Sequence, residues 1–154
     1  MSVAKADAPA AMPVLTDAQV YSIVESAKGF EETAAALAEA VPKAKFGVQH
    51  VHNIGETLRN KGQPFTEECK VFEVCNPVKA FQVLSQDMRL NMALPCRISV
   101  WTEGGKVWIG QIKPSMMLSM MPHKGADLTP VATEVEAILE AIIAEAAAAP
   151  APAA

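Results

Sequence analysis

The segment at residues 114–125, PSMMLSMMPHKG, concentrates side chains that could hold a soft ligand. Met116, Met117, Met120 and Met121 recur at spacings of one, three and four, and His123 follows. On a helical turn Met116 and Met120, or Met117 and Met121, share a face. Thioethers suit Cu(I), and Met or His serves as an axial haem ligand, so this segment is the candidate cofactor site for haem b or copper. No CxxCH occurs, which excludes covalent c-type haem. His50 and His52, at i and i+2 of a strand, share a face and offer two imidazoles; with His123 they are the candidate metal ligands. The competing readings are bland ones. Methionine is an adaptable filler of cores and of subunit interfaces, and two histidines on a short strand also describe a polar edge.

Thiol chemistry is the second candidate. Cys75 precedes Asn76, the predicted N-cap of a helix, where the dipole and free N–H groups favour a thiolate, and Arg97 would act likewise beside Cys96. Cys75, Cys96 and Arg97 therefore support a thiol-based carrier or redox protein of sulfur metabolism. Against it, unpaired cysteines at strand ends are commonly small buried residues. Cys69, Cys75 and Cys96 form an odd set without CxxC spacing, which fits neither a secreted disulfide framework nor a zinc knuckle and points to reduced thiols in a cytoplasm. A Cys75–Cys96 disulfide needs Cα atoms within about 7 Å. A parallel crossover between their strands forbids it, and an antiparallel arrangement permits it.

Signatures of catalysis are missing: the sequence has no GxSxG, P-loop, GxGxxG or HExxH. Ser99 or Ser115 with a histidine makes a triad only on paper, and Glu67, Glu68 and Glu73 read as a solvated strand edge. The balance is against an enzyme.

These residues need a scaffold, and the patterning supplies one. Residues 20–27 alternate as a first strand, followed by Phe30, Ala34, Leu37 and Val41 at helical spacing. Residues 45–52 read as a second strand, with Phe46, Val48, His50 and His52 on one face. Asn53 and Glu56 make a capping pair for a short helix that ends at Gly62. CKVFEVC, residues 69–75, is a third strand, and Asn76-Pro77 starts a helix with Ala80, Phe81 and Leu84 facing inward. After Pro95, CRISVW and KVWIGQI flank a glycine-containing turn as a hairpin. Thr129-Pro130 opens the last helix, with Val131, Val135, Ile138, Leu139, Ile142 and Ile143 on one stripe. The resulting order, β-α-β-α-β-α-β-β-α, predicts an α+β (two-layer α/β) domain with a five-stranded mixed sheet and helices on one face. The bare face then needs a cover, and a second copy of the chain is the simplest one.

Composition sets the outer limits. Residues 1–16 and 148–154 are Ala/Pro-rich and read as disordered tails around a single domain at 17–147. Apolar residues make up 51% and charged residues 19%, enough to build a core. A net charge of −4 without a basic stripe argues against nucleic acid. No apolar run approaches the roughly 20 residues of a membrane span, and the N-terminus has no secretory h-region, so a cytoplasmic protein is expected.

Several segments together carry a resemblance: Phe30 at the head of the first helix, Asn53-Ile54 through Lys61-Gly62, Cys75-Asn76-Pro77, Leu94-Pro95-Cys96-Arg97-Ile98, and the hairpin ending in Lys113-Pro114. In this order they resemble the domain-of-unknown-function 302 family over residues 20–145. The resemblance implies a compact α/β fold seen as a dimer, and no settled activity. The methionine-rich segment departs from that family's pattern. The expected function is a homodimeric module binding a small soft ligand such as haem or copper. The alternatives are the Cys75/Cys96 thiol protein and a structural dimer without ligand.

Overall fold

The computed structural model describes residues 14–150. The reading of the two ends as tails falls largely outside them; residues 14–16 and 148–150 lie outside helix and strand. The elements are α1 (Asp17–Val20), β1 (Tyr21–Glu25), α2 (Phe30–Lys43), β2 (Gly47–Asn53), α3 (Ile54–Asn60), β3 (Cys69–Cys75), α4 (Pro77–Leu84), a 3₁₀ helix (Met88–Ala93), β4 (Cys96–Glu103), β5 (Lys106–Ile112), α5 (Pro114–Ser119) and α6 (Thr129–Ala147).

Local chemistry sets many of these boundaries. The Asn53 side chain accepts the Glu56 N–H at 3.0 Å and heads α3, and Asn76 accepts the Lys79 N–H at 3.1 Å and heads α4. Pro77, Pro114 and Pro130 sit in first turns, where a missing N–H breaks no helical bond. Between β4 and β5, Gly104 and Gly105 take φ of 62° and 75° with Glu103 opposite Lys106, the left-handed pair that a tight hairpin requires.

The five strands lie in the order β1-β5-β4-β3-β2, and every neighbouring pair is antiparallel. The expected mixed sheet is thereby corrected. A helix between two strands does not oblige them to run parallel: α3 with the loop behind it, and α4 with the 3₁₀ helix, each return the chain to the sheet end it left. The one connection spanning the sheet is α2, which links its two edge strands.

The α2 and α6 helices pack on one face. Leu37 and Val41 of α2 and Leu139, Ile142 and Ile143 of α6 are buried against Phe72, Val74, Ile98, Val100 and Ile109 of the sheet. Each such side chain removed from water contributes about 1.5–3 kcal/mol. Lys79 of α4 pairs with Glu134 of α6 at 2.7 Å, tying the shorter helix to the same layer.

Two smaller corrections concern side-chain direction. A bulge at Gln49 puts Val48 opposite Val74, on the core face, and His50 opposite Glu73, on the other. Val48 and the histidines therefore do not share a face. Phe81, expected inside, is 74% exposed, while Ala80 and Leu84 are half-buried.

Candidate functional site

Antiparallel order brings chemistry-bearing residues to one end of the sheet. The end of β3 with Cys75, the start of β4 with Cys96, the end of β5 with Ile112 and the start of β1 with Tyr21 all meet there. A cavity of about 690 Å³ begins at this end, beside α4, α5 and α6, and continues onto the open face of the sheet, where Ile23, Gly110, Ser99, Val71, Trp101 and Cys69 line it. Its lining is mostly apolar, with Val83, Leu90, Leu118 and Val135 among the contributors. All three cysteines line it, as do Met117 and Met121. The two separate candidates read from the sequence, methionine segment and thiols, thus share one cavity.

The structure divides the methionine segment. Met117 and Met121, four apart as α5 runs into its C-cap, turn to the cavity, whereas Met120 is 58% exposed and Met116 is half-buried outside the lining. His123 lies in a second cavity of about 320 Å³ with Ser115, Ser119, Asp127 and Thr129, and its Nδ1 is 3.0 Å from the Lys124 carbonyl. Asp127 is held below the usual carboxylate range by the Thr129 backbone N–H and hydroxyl. Ser115 donates to Glu136 at 2.6 Å, which ties α5 to α6.

His50 and His52 do share a face, with ring centroids 4.4 Å apart, but on the open face of the sheet at β2. His52 Nε2 lies 2.9 Å from Glu73, and Arg97 reaches the same carboxylate at 3.6 Å. The hydrogen bond from His52 is the main reason the Glu73 carboxyl lies below its ordinary range. None of the three histidines lines the larger cavity, and among the described residues no three His, Cys, Asp or Glu side chains are grouped to hold a metal ion.

The thiols are in apolar surroundings. Burial pushes Cys96 up to about 11, with the neighbouring Cys75 adding to the effect, and burial also raises Cys75 and Cys69. Arg97, expected to activate Cys96, belongs to the opposite face of β4 and turns to Glu73. Cys96 sits opposite Val74 in an antiparallel ladder, the arrangement in which a Cys75–Cys96 bridge was left open; all three cysteines are free thiols.

Three residues that matter here had no signal in the sequence. Gln111 of β5 is 5% exposed, stands in the wall of the larger cavity, and has no hydrogen-bond partner for either amide atom among the described residues. An unmet buried polar group costs about 1–3 kcal/mol. Gly110 beside it allows close packing: a Cβ there would lie 2.7 Å from the Ser22 carbonyl oxygen and 2.8 Å from Ile23 Cγ1. Asp87, also buried, accepts from Arg89 Nη2 at 2.7 Å and from the Lys124 N–H at 3.0 Å, pinning the loop behind α5. The Arg89 hydrogen bonds, with that backbone donor, hold its carboxyl well below the ordinary range.

The open face carries a row that crosses all five strands: Ile23, Gly110, Ser99, Val71 and His52 lie opposite one another in turn. A second row joins Glu25, Trp108, Trp101 and Cys69. The β1 side is apolar, with Tyr21, Ile23 and Ile112 each 44–47% exposed, and the β2 side is charged. Among the described residues no helix is long and apolar enough to cross a membrane.

No curated protein matches the chain. A crystal structure of an uncharacterized conserved protein DUF302 from Bacillus stearothermophilus is similar over 82% of this chain and 97% of that one, with 32% identity and a TM-score of 0.76. The family described as domain of unknown function DUF302 matches residues 22–146, from the edge strand β1 to the end of α6, the whole span that builds the sheet and its cavity. The chain belongs to the DUF302 family.

Proposed function

We propose that the protein is a binding module for a small, largely apolar ligand, held in the cavity at the end of the sheet. The observation that carries this reading is the cavity itself: about 690 Å³, apolar in most of its lining, with Cys75, Cys96, Met117 and Met121 in its wall. Its size is that of an ordinary small-molecule site. If the ligand is a soft one such as haem or copper, its donors come from Met117, Met121 and one of Cys75 and Cys96, which turn to opposite faces of the sheet, rather than from His50, His52 or His123, which do not line the cavity. Raised thiols favour binding over thiol transfer, since the thiolate is the nucleophile.

The test combines an absorption spectrum and metal analysis, on protein expressed with iron, haem precursor and copper available, with titration of an apolar naphthalene probe. Saturable binding of one probe per chain, lost when Ala132→Trp fills the cavity, supports the module. No saturable binding to the wild type would overturn it. A stoichiometric chromophore or metal that disappears in Met117→Leu or Met121→Leu identifies the soft ligand.

The open face favours a second copy of the chain as its cover, and thus a homodimer. Tyr21, Ile23, Ile112 and Trp101, which also line the cavity, form with Trp108 an apolar half of this face that a second copy would cover. Light scattering on the purified protein is expected to give the mass of a dimer, and Ile23→Glu that of a monomer; a monomeric wild type removes this part of the proposal. Three free thiols fit a cytoplasmic location.

A further inference from the structure

We infer that Gln111 is the hydrogen-bonding anchor of the cavity. Its ligand is then a neutral, mainly apolar molecule bearing one group that donates and accepts at adjacent atoms: a carboxamide, a lactam or an un-ionised carboxylic acid. The inference rests on the ligand-binding reading above and adds the ligand's chemical class.

Gln111 stands where a sheet ordinarily places an aliphatic side chain. By strand alternation it shares the core face with Ile109, which is fully buried, and it faces the layer of α5 and α6. It is 5% exposed, and among the described residues neither its Oε1 nor its Nε2 has a partner. A buried primary amide has two donors and an acceptor to satisfy, so its complement is a group with one of each side by side. Among cavity-lining residues, Met117 and Met121 are unbranched and re-pack at low cost, which lets a ligand reach the amide through that wall.

Charge argues for a neutral ligand. The cationic groups in the wall, Lys79 and Arg97, are turned to Glu134 at 2.7 Å and Glu73 at 3.6 Å. The thiols present no negative charge at neutral pH. An ion entering an apolar cavity without a free counter-charge is strongly disfavoured, whereas a paired amide is not.

The experiment uses three probes on one ring system, 2-naphthamide, N,N-dimethyl-2-naphthamide and 2-ethylnaphthalene, titrated into the full-length wild type, Gln111→Leu and Gln111→Met. The wild type is expected to bind 2-naphthamide about tenfold more tightly than the other two. In both variants that preference collapses to about onefold while the hydrocarbon binds undiminished. The free Gln111→Leu protein is also expected to melt higher than the wild type, because an unmet amide has been removed. Equal binding of all three probes by the wild type, or an amide preference that survives both substitutions, overturns the inference and leaves the binding module standing. Failure of every probe to bind the wild type takes down both.

Discussion

Cys96 lies directly opposite Val74 across the β3–β4 ladder, one register step from Cys75. Strand alternation then sends the two cysteine side chains to opposite faces, while their shared position at the sheet end keeps both in the lining of one cavity. The pair is close without being bridged.

Reactivity should follow that placement. At pH 8 a thiol titrating near 11 exposes far less thiolate than an ordinary one near 8.5, and once the greater nucleophilicity of that thiolate is counted Cys96 is expected to react with iodoacetamide about 20-fold more slowly than a free cysteine. Its rate should climb as pH rises toward 11. Peptide mass spectrometry after timed labelling checks this, and a Cys96 that labels at the free-thiol rate would contradict its burial.

Gly110 offers a test of how β1 is held. A methyl group there meets the Ser22 carbonyl and Ile23 in the facing strand, so Gly110→Ala is expected to destabilise the protein by about 1–3 kcal/mol. Urea unfolding reads the change. Retained stability would mean that β1 sits further from β5 than the register indicates.

Asp87 predicts an acid dependence with a definite sign. Its carboxyl is depressed in the folded protein relative to about 3.9 in an unfolded chain. The stability it contributes is therefore complete above that unfolded value and is lost as pH falls toward the folded one. Urea midpoints measured from pH 6 down to pH 3 should fall less steeply for Asp87→Asn than for the wild type. Parallel curves would show that the contacts to Arg89 and Lys124 do not hold in solution.

Much of the scaffold was legible because local chemistry wrote it. CKVFEVC matches β3 residue for residue, Asn53 and Asn76 cap the helices they were expected to cap, and the stripe from Val131 to Ile143 lies on α6. Strand direction was not legible, since a helix between two strands fits either sense and only the partner strand decides. The site divided in the same way. Met117, Met121, Cys75 and Cys96 were recognisable by type, but their meeting depends on the antiparallel order. Gln111 left no trace, because one glutamine in KVWIGQI looks like the polar half of an ordinary alternation. The bulge that separates Val48 from the histidines was equally silent, as the extra residue, Gln49, is neither a glycine nor a proline.

The pairing of β1 with β5 carries a consequence for biogenesis. β1 finds its partner, Tyr21 with Ile112, only after the three strands between them in the chain and β5 itself have been made, and the helix that seals the core comes later still. Until β4 emerges, β3 has only β2 beside it, and until β5 emerges the outer edge of β4 is uncovered in turn. This part of the nascent chain should therefore stay open until β5 and α6 have emerged and then close by long-range pairing, the slow kind of folding. Truncations before α6 are expected to fail as a whole rather than to yield a smaller stable domain.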